Sequence, residues 1–223
     1  MASWMIHLRV ADALLDRFPE LSAIEFIFGN IAPDSGVPNG DNTSFTPPKS
    51  VSHFQKIQED GHRVSGYDVF ADKFLTHEKL AEYDHECLSF HLGYFSHLLT
   101  DYLWANHIVI PAFSRENEEF LRDRHALVRK YKDDWYDLDF RYLRDHPDFR
   151  AYSIYRDAPE FKNIHLDFYP PDAFELRRKH IINFYSEKRE NLDREYTWLT
   201  PKQADEFVAK AVETIAAELI RFL

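Results

Sequence analysis

The chain has 223 residues, 44% of them apolar, which is enough for a sizeable buried core in one generous domain or two small ones. A formal charge of −11, from 27 Lys and Arg against 38 Asp and Glu, comes with no basic run, so long nucleic acid is not expected as a partner unless a metal supplies the positive charge. The single cysteine, Cys87, excludes an internal disulfide and a thiolate metal cage, so any metal falls to carboxylates and the 12 His.

No window approaches the ~20 apolar residues of a membrane span, and the start of the chain lacks a basic stretch leading into an apolar one. A cytoplasmic protein without stable membrane insertion is expected. Only 6 Gly and almost no alternating apolar runs point to helices rather than sheet.

The spacing predicts a first helix from about Ser3 to Phe18, with Trp4, Leu8, Ala11, Leu15 and Phe18 on one stripe and His7 facing inward beside Ala11 and Leu14. A short apolar segment, Ala23 to Phe28, ends at Gly29 and leads into a turn carrying Asp34. From Val37 to about Lys49 the composition predicts a long irregular loop, the kind that is usually functional in a compact domain. A second loop, Glu59 to Gly66, precedes a helical run from Val69 to Leu80.

A central helix is expected from about Asp84 to His107, apolar on most sides and closed by Pro111. Further helices are expected from Glu116 to about Asp145, from Pro171 to about Glu190, and after Thr200. The last has a capping box of Thr200 and Gln203, with Pro201 at its first position and a core stripe of Ala204, Phe207, Val208, Ala211, Ile215, Leu219 and Ile220. With no internal repeat and no linker, the expectation is an all-α, single-domain multi-helix bundle over residues 1–223.

His97 and Asp101 are four residues apart, which on a helix sets both side chains on one face about a turn apart, able to hold one divalent ion. Such a pair is common by chance, but here an ionised carboxylate lies among Leu, Phe, Tyr and Trp, where it must be paired or metal-bound. His7 and Asp34 are two further ligand types near the core, and His107 follows near the helix end. His85 and His91, twelve and six residues before His97, rotate away from it. His77, His146, His165 and His180 sit among charges and are expected to be solvated. The aromatic run Trp135 to Phe140 fits either core or pocket wall.

An early His, an Asp in a turn, a His after a loop and a central His-x3-Asp-x5-His resemble the zinc-dependent phospholipase C and single-strand nuclease family. The matching positions are His7, Asp34, His53, His97, Asp101 and His107. The segments Asn30 to Asp34 and Gly93 to Asp101 look most like its intracellular bacterial branch. The resemblance implies that Asp34, His53, His97 and Asp101 hold one zinc, with Asp101 bridging to a second that also takes His7. It makes Asp34 the general base and His107 a ligand of a third ion.

The secreted members complete the third site with a His-x3-Glu pair, whereas here His125 is followed by Arg129 four residues on. They also use the amino group of a terminal Trp as a ligand, whereas Trp4 is internal. Two zinc ions are therefore expected. His62 is the alternative to His53, and His107 could equally sit at the helix C-terminus and interact with its dipole. The implied activity is hydrolysis of a phosphoester or phosphodiester, of a lipid head group or a small nucleotide, by a metal-activated water. The rival expectation is a non-catalytic helical protein with a vestigial metal site.

Overall fold

In the computed structural model, which describes residues 1–40, 43–59, 61–115 and 123–223, α1 spans Trp4–Arg17. The Ser3 hydroxyl caps it, accepting from the Ile6 N–H and donating to Asp139. Met5, Ile6, Leu8, Val10, Ala11, Leu14 and Leu15 are buried along it, and so is His7.

The second helix, α2 (Ala23–Ile31), runs through Gly29 and Asn30, where the sequence reading ends it at Gly29. Gly29 is a contact point, not a terminator. A Cβ there would fall 2.0 Å from the Phe90 carbonyl oxygen, and one at Gly93 would fall 2.1 Å from that of Phe26. The missing side chains let α2 lie directly on the central helix. The turn bearing Asp34 is a short 3-10 segment, Ala32–Asp34.

The expected loops carry two small hairpins, β1 (Val37–Pro38) with β2 (Phe45–Thr46), and β3 (Lys56–Ile57) with β4 (Arg63–Val64). Between them lies the one-turn helix α3 (Lys49–Ser52). The expected run from Val69 to Leu80 is two helices, α4 (Tyr67–Phe74) and α5 (His77–Glu82), because Thr76 caps the second and accepts from the Lys79 N–H.

The central helix α6 (His85–Trp104) is capped by Asp84, which accepts from the Cys87 N–H, and is buried without a break from Ser89 to Asp101. Pro111 does not close it. The chain continues through a π turn, Ala105–Val109, into α7 (Ile110–Arg115). The wider turn lies where the proline ring would crowd the carbonyl four residues back, so the proline is absorbed in a bulge.

Residues 116–122 of the next expected helix lie outside the described residues, and α8 covers Arg124–Asp145. An unanticipated helix, α9 (Arg150–Asp157), buries Ala151 and Tyr155. The next, α10 (Ala173–Tyr185), stops short of Glu190. The last, α11 (Pro201–Leu219), has its capping box formed in both directions, while Ile220, expected in the core, is 66% exposed just beyond its end.

The fold is all-α, with α1, α2, α4 and α11 packed on α6 and one connected apolar core from Ala2 to Leu219. Among the described residues no helix is long and apolar enough to cross a membrane.

Candidate metal centre

Five residues that the sequence singles out meet inside this bundle. Asp101 extends from α6 with Oδ1 3.3 Å from His7 Nε2 on α1, and Oδ2 3.5 Å from His53 Nε2 and 3.6 Å from His97 Nε2. His53 Nε2 is also 3.5 Å from Asp34 Oδ1. The two oxygens of Asp101 thus face different imidazoles. Ligand atoms of His7, His97 and Asp101, and of Asp34, His53 and His97, lie within 4.8 Å of one another in each group, so His97 belongs to both.

The backbone sets the orientation of these rings. His97 Nδ1 donates to the Asn30 carbonyl at 2.7 Å, which leaves Nε2 as the acceptor facing Asp101. His53 Nδ1 pairs with the Ser52 hydroxyl at 3.0 Å. The His7 and His97 rings stack at 3.7 Å, 6° from parallel. Two cationic imidazoles would not stack so closely without neutralisation. Burial, and then the neighbouring His97, lowers the His7 pKa to about 4, and burial also lowers that of His53.

Both carboxyls are held well below the usual range. Burial raises each, but it is outweighed at Asp34 by the Lys49 ammonium and then His53 and His97, and at Asp101 by the amino terminus at Met1 and then His7 and His97. Asp34 is 8% exposed and accepts from Trp4 Nε1 at 3.0 Å, with Lys49 Nζ 3.3 Å away. The Ala2 N–H donates to Asp101 Oδ1 at 2.8 Å, so the start of the chain touches the centre through a backbone amide.

The donor set fits a divalent cation. His7 Nδ1 and Nε2, His53 Nε2, His97 Nε2 and Asp101 Oδ2 are buried and lack a hydrogen-bond partner among the described residues. Buried polar atoms are normally satisfied, and neutral imidazoles beside ionised carboxylates are the ligand forms that zinc requires.

His62 is exposed on the second hairpin, so His53 is the loop histidine that the structure brings to Asp34. His107 is exposed on the π turn and joins neither of the metal-competent groups among the described residues. The side chain of His125 lies outside those residues. His85 is exposed, while His91 is buried and stacks on Tyr83. His165 is not solvated as expected but half-buried, its ring 4.1 Å from Phe90. Of the aromatic run, Trp135 and Tyr136 line a cavity of about 850 Å³. Asp34 opens into that cavity, which is bounded further by Trp4, Phe45, Lys49 and Arg177.

Sequence reasoning missed the Trp4 indole and Lys49 as partners of Asp34, and the Asn30 carbonyl as partner of His97. Trp4 and Lys49 stand in segments singled out for other reasons, the first-helix stripe and the long loop. A backbone carbonyl leaves no side-chain signature at all.

A family profile described as zinc dependent phospholipase C matches residues 6–140, a stretch holding all six predicted ligand positions. No curated protein and no solved structure matches the chain.

Proposed function

Because the chain belongs to the zinc-dependent phospholipase C family, we propose that it hydrolyses a phosphoester or phosphodiester at a two-zinc centre held by His7, Asp34, His53, His97 and Asp101. The observation that supports this most is the convergence of buried nitrogens and a carboxylate oxygen, without partners among the described residues, around Asp34, the one of the five that lines the open cavity. Bound zinc supplies positive charge for the phosphoryl oxygens and a water whose pKa lies near neutrality.

The remaining work belongs to the protein. Asp101, with Oδ1 toward His7 and Oδ2 toward His53 and His97, would help to hold both ions. Asp34 is the ligand nearest the cavity and takes the proton of the attacking water at its carboxylate. Trp4 Nε1 fixes the orientation of Oδ2 for that transfer. The Asn30 carbonyl and the Ser52 hydroxyl keep the His97 and His53 rings aimed inward, so little reorganisation is needed when ions bind. His107, exposed and in neither group among the described residues, is given no ligand role in this reading.

The cavity, at about 850 Å³, lies within the ~300–1,000 Å³ usual for small-molecule sites and suits a small phosphoester or a lipid head group. The test combines elemental analysis with hydrolysis of bis(p-nitrophenyl) phosphate by wild type and Asp34→Asn. About two zinc per chain, with turnover reduced at least ~100-fold in Asp34→Asn, is expected. Less than one transition metal per chain after zinc loading, or equal inertness of both proteins with zinc, cobalt and manganese, overturns the proposal.

A further inference from the structure

The cavity into which Asp34 opens is lined by more cationic than anionic groups, in a protein of net charge −11. Among its described lining residues are Lys49, Lys132 and Arg177, against a single carboxylate, Asp34. Arg177 Nη2 donates to the Gly36 carbonyl at 3.1 Å, its guanidinium lies 5.6 Å above the Trp4 ring, and its Nε is buried without a hydrogen-bond partner among the described residues. Among the described residues neither Arg177 nor Lys132 takes part in an ion pair, whereas the adjacent Arg178 and Lys179 both face Glu175.

Trp4 sets the distance. Its Nε1 is bound to Asp34 while its face carries Arg177, so the arginine is held about one indole away from the metal ligand. Trp135 and Tyr136 add aromatic wall to the same space. Once ions neutralise Asp34, nothing anionic remains on the lining residues to attract a cationic head group.

We propose that the substrate carries, about one aromatic ring from the scissile phosphoester, a second anionic group that Arg177 and Lys132 recognise, so that the site rejects a quaternary ammonium head group. The inference rests on the two-zinc phosphoesterase for the position of the phosphoryl group. Arg177 supplies a planar fork matched to carboxylate or phosphate, and Lys132 a mobile point charge at the rim. A trimethylammonium group would meet two unpaired cations there.

The test titrates zinc-loaded protein calorimetrically with two non-hydrolysable benzylphosphonates, one with a 4-carboxylate and one with a 4-trimethylammonium substituent. Bis(p-nitrophenyl) phosphate hydrolysis is followed in parallel. The carboxylate is expected to bind at least ~10-fold tighter, and Arg177→Met and Lys132→Met each to cut that ratio at least ~3-fold. Lys132 is exposed, so its variant tests the idea even if Arg177→Met does not fold. Equal or inverted affinities, or a ratio that neither substitution changes, overturns the inference. Ester cleavage without charge preference sinks this inference alone, while charge preference without cleavage supports it and sinks the hydrolase.

Discussion

His97 donates from Nδ1 to the backbone carbonyl of Asn30 at 2.7 Å, and that bond exists because α2 and α6 touch at Gly29 and Gly93. Asn30 lies in the last turn of α2, where carbonyls lack an intrahelical donor, and the close approach of the two helices brings the His97 ring to it. Gly93→Ala places a Cβ 2.1 Å from the Phe26 carbonyl oxygen, which is backbone and cannot rotate aside. The expected effect is a loss of about 3 kcal/mol in urea unfolding together with weakened zinc binding. Unchanged stability and zinc stoichiometry would show that the helix contact does not orient His97.

Asp101 is the residue on which both halves of the cluster depend, since Oδ1 faces His7 and Oδ2 faces His53 and His97. Asp101→Asn keeps the shape and removes the charge. Zinc titration against a chromogenic chelator should show stoichiometry falling from about two to one or none. The remaining affinity should be at least ~100-fold weaker, beyond the 10–100-fold typical of residues that only orient a ligand. Two tightly bound ions in the variant would rule out a bridging carboxylate.

Asp139 is a second buried carboxyl, bound by the Ser3 hydroxyl at 2.7 Å and Tyr185 at 2.8 Å, and burial raises its pKa to about 7. A folded pKa above the unfolded value of 3.8 means that the folded state binds the proton more tightly. Its contribution to stability is therefore complete at low pH and is lost as pH rises from about 4 through 7. At 1.36 kcal/mol per unit the loss approaches about 4 kcal/mol. His7 works in the opposite direction in the metal-free protein, because its lowered pKa removes stability as pH falls from 6.5 toward 4. The two effects separate in a comparison. Unfolding of zinc-free wild type and Asp139→Asn from pH 4.5 to 7.5 should show the variant gaining on wild type as pH rises. A difference that is flat, or that shrinks with pH, refutes the assignment.

How much of this was legible beforehand follows from what each feature depends on. The capping box at Thr200 and Gln203, the inward face of His7 and the burial of His97 with Asp101 are set by local periodicity, and the structure reproduces them. Gly29 looked like a terminator because local propensity cannot register a glycine kept for contact with a helix some sixty residues away. Pro111 looked like a stop because a π turn has no composition signal of its own. Asp34 and His53 were visible only as ligand types in plausible order. Their approach to 3.5 Å depends on how the 3-10 turn and α3 dock on α6, a tertiary arrangement that spacing along the chain does not encode. Helix α9 was absent from the sequence reading because eight residues give too short a window for its stripe.

Lys49 stands 3.3 Å from Asp34 Oδ1, with its side chain half exposed, where an ion bound by Asp34 and His53 would meet it as a competing positive charge. In the metal-free protein it contributes to the depressed pKa of Asp34, so it acts as a placeholder for the cation. Two like charges about 4 Å apart repel by roughly 1 kcal/mol in water-like surroundings, and exposure keeps Lys49 near that limit. Lys49→Met should therefore tighten the weaker zinc site about fivefold, while salt should erode the difference between variant and wild type. Chelator competition at low and at 0.5 M sodium chloride reads both effects. Weaker zinc binding in the variant would mean that Lys49 holds Asp34 in place for the metal instead of competing with it.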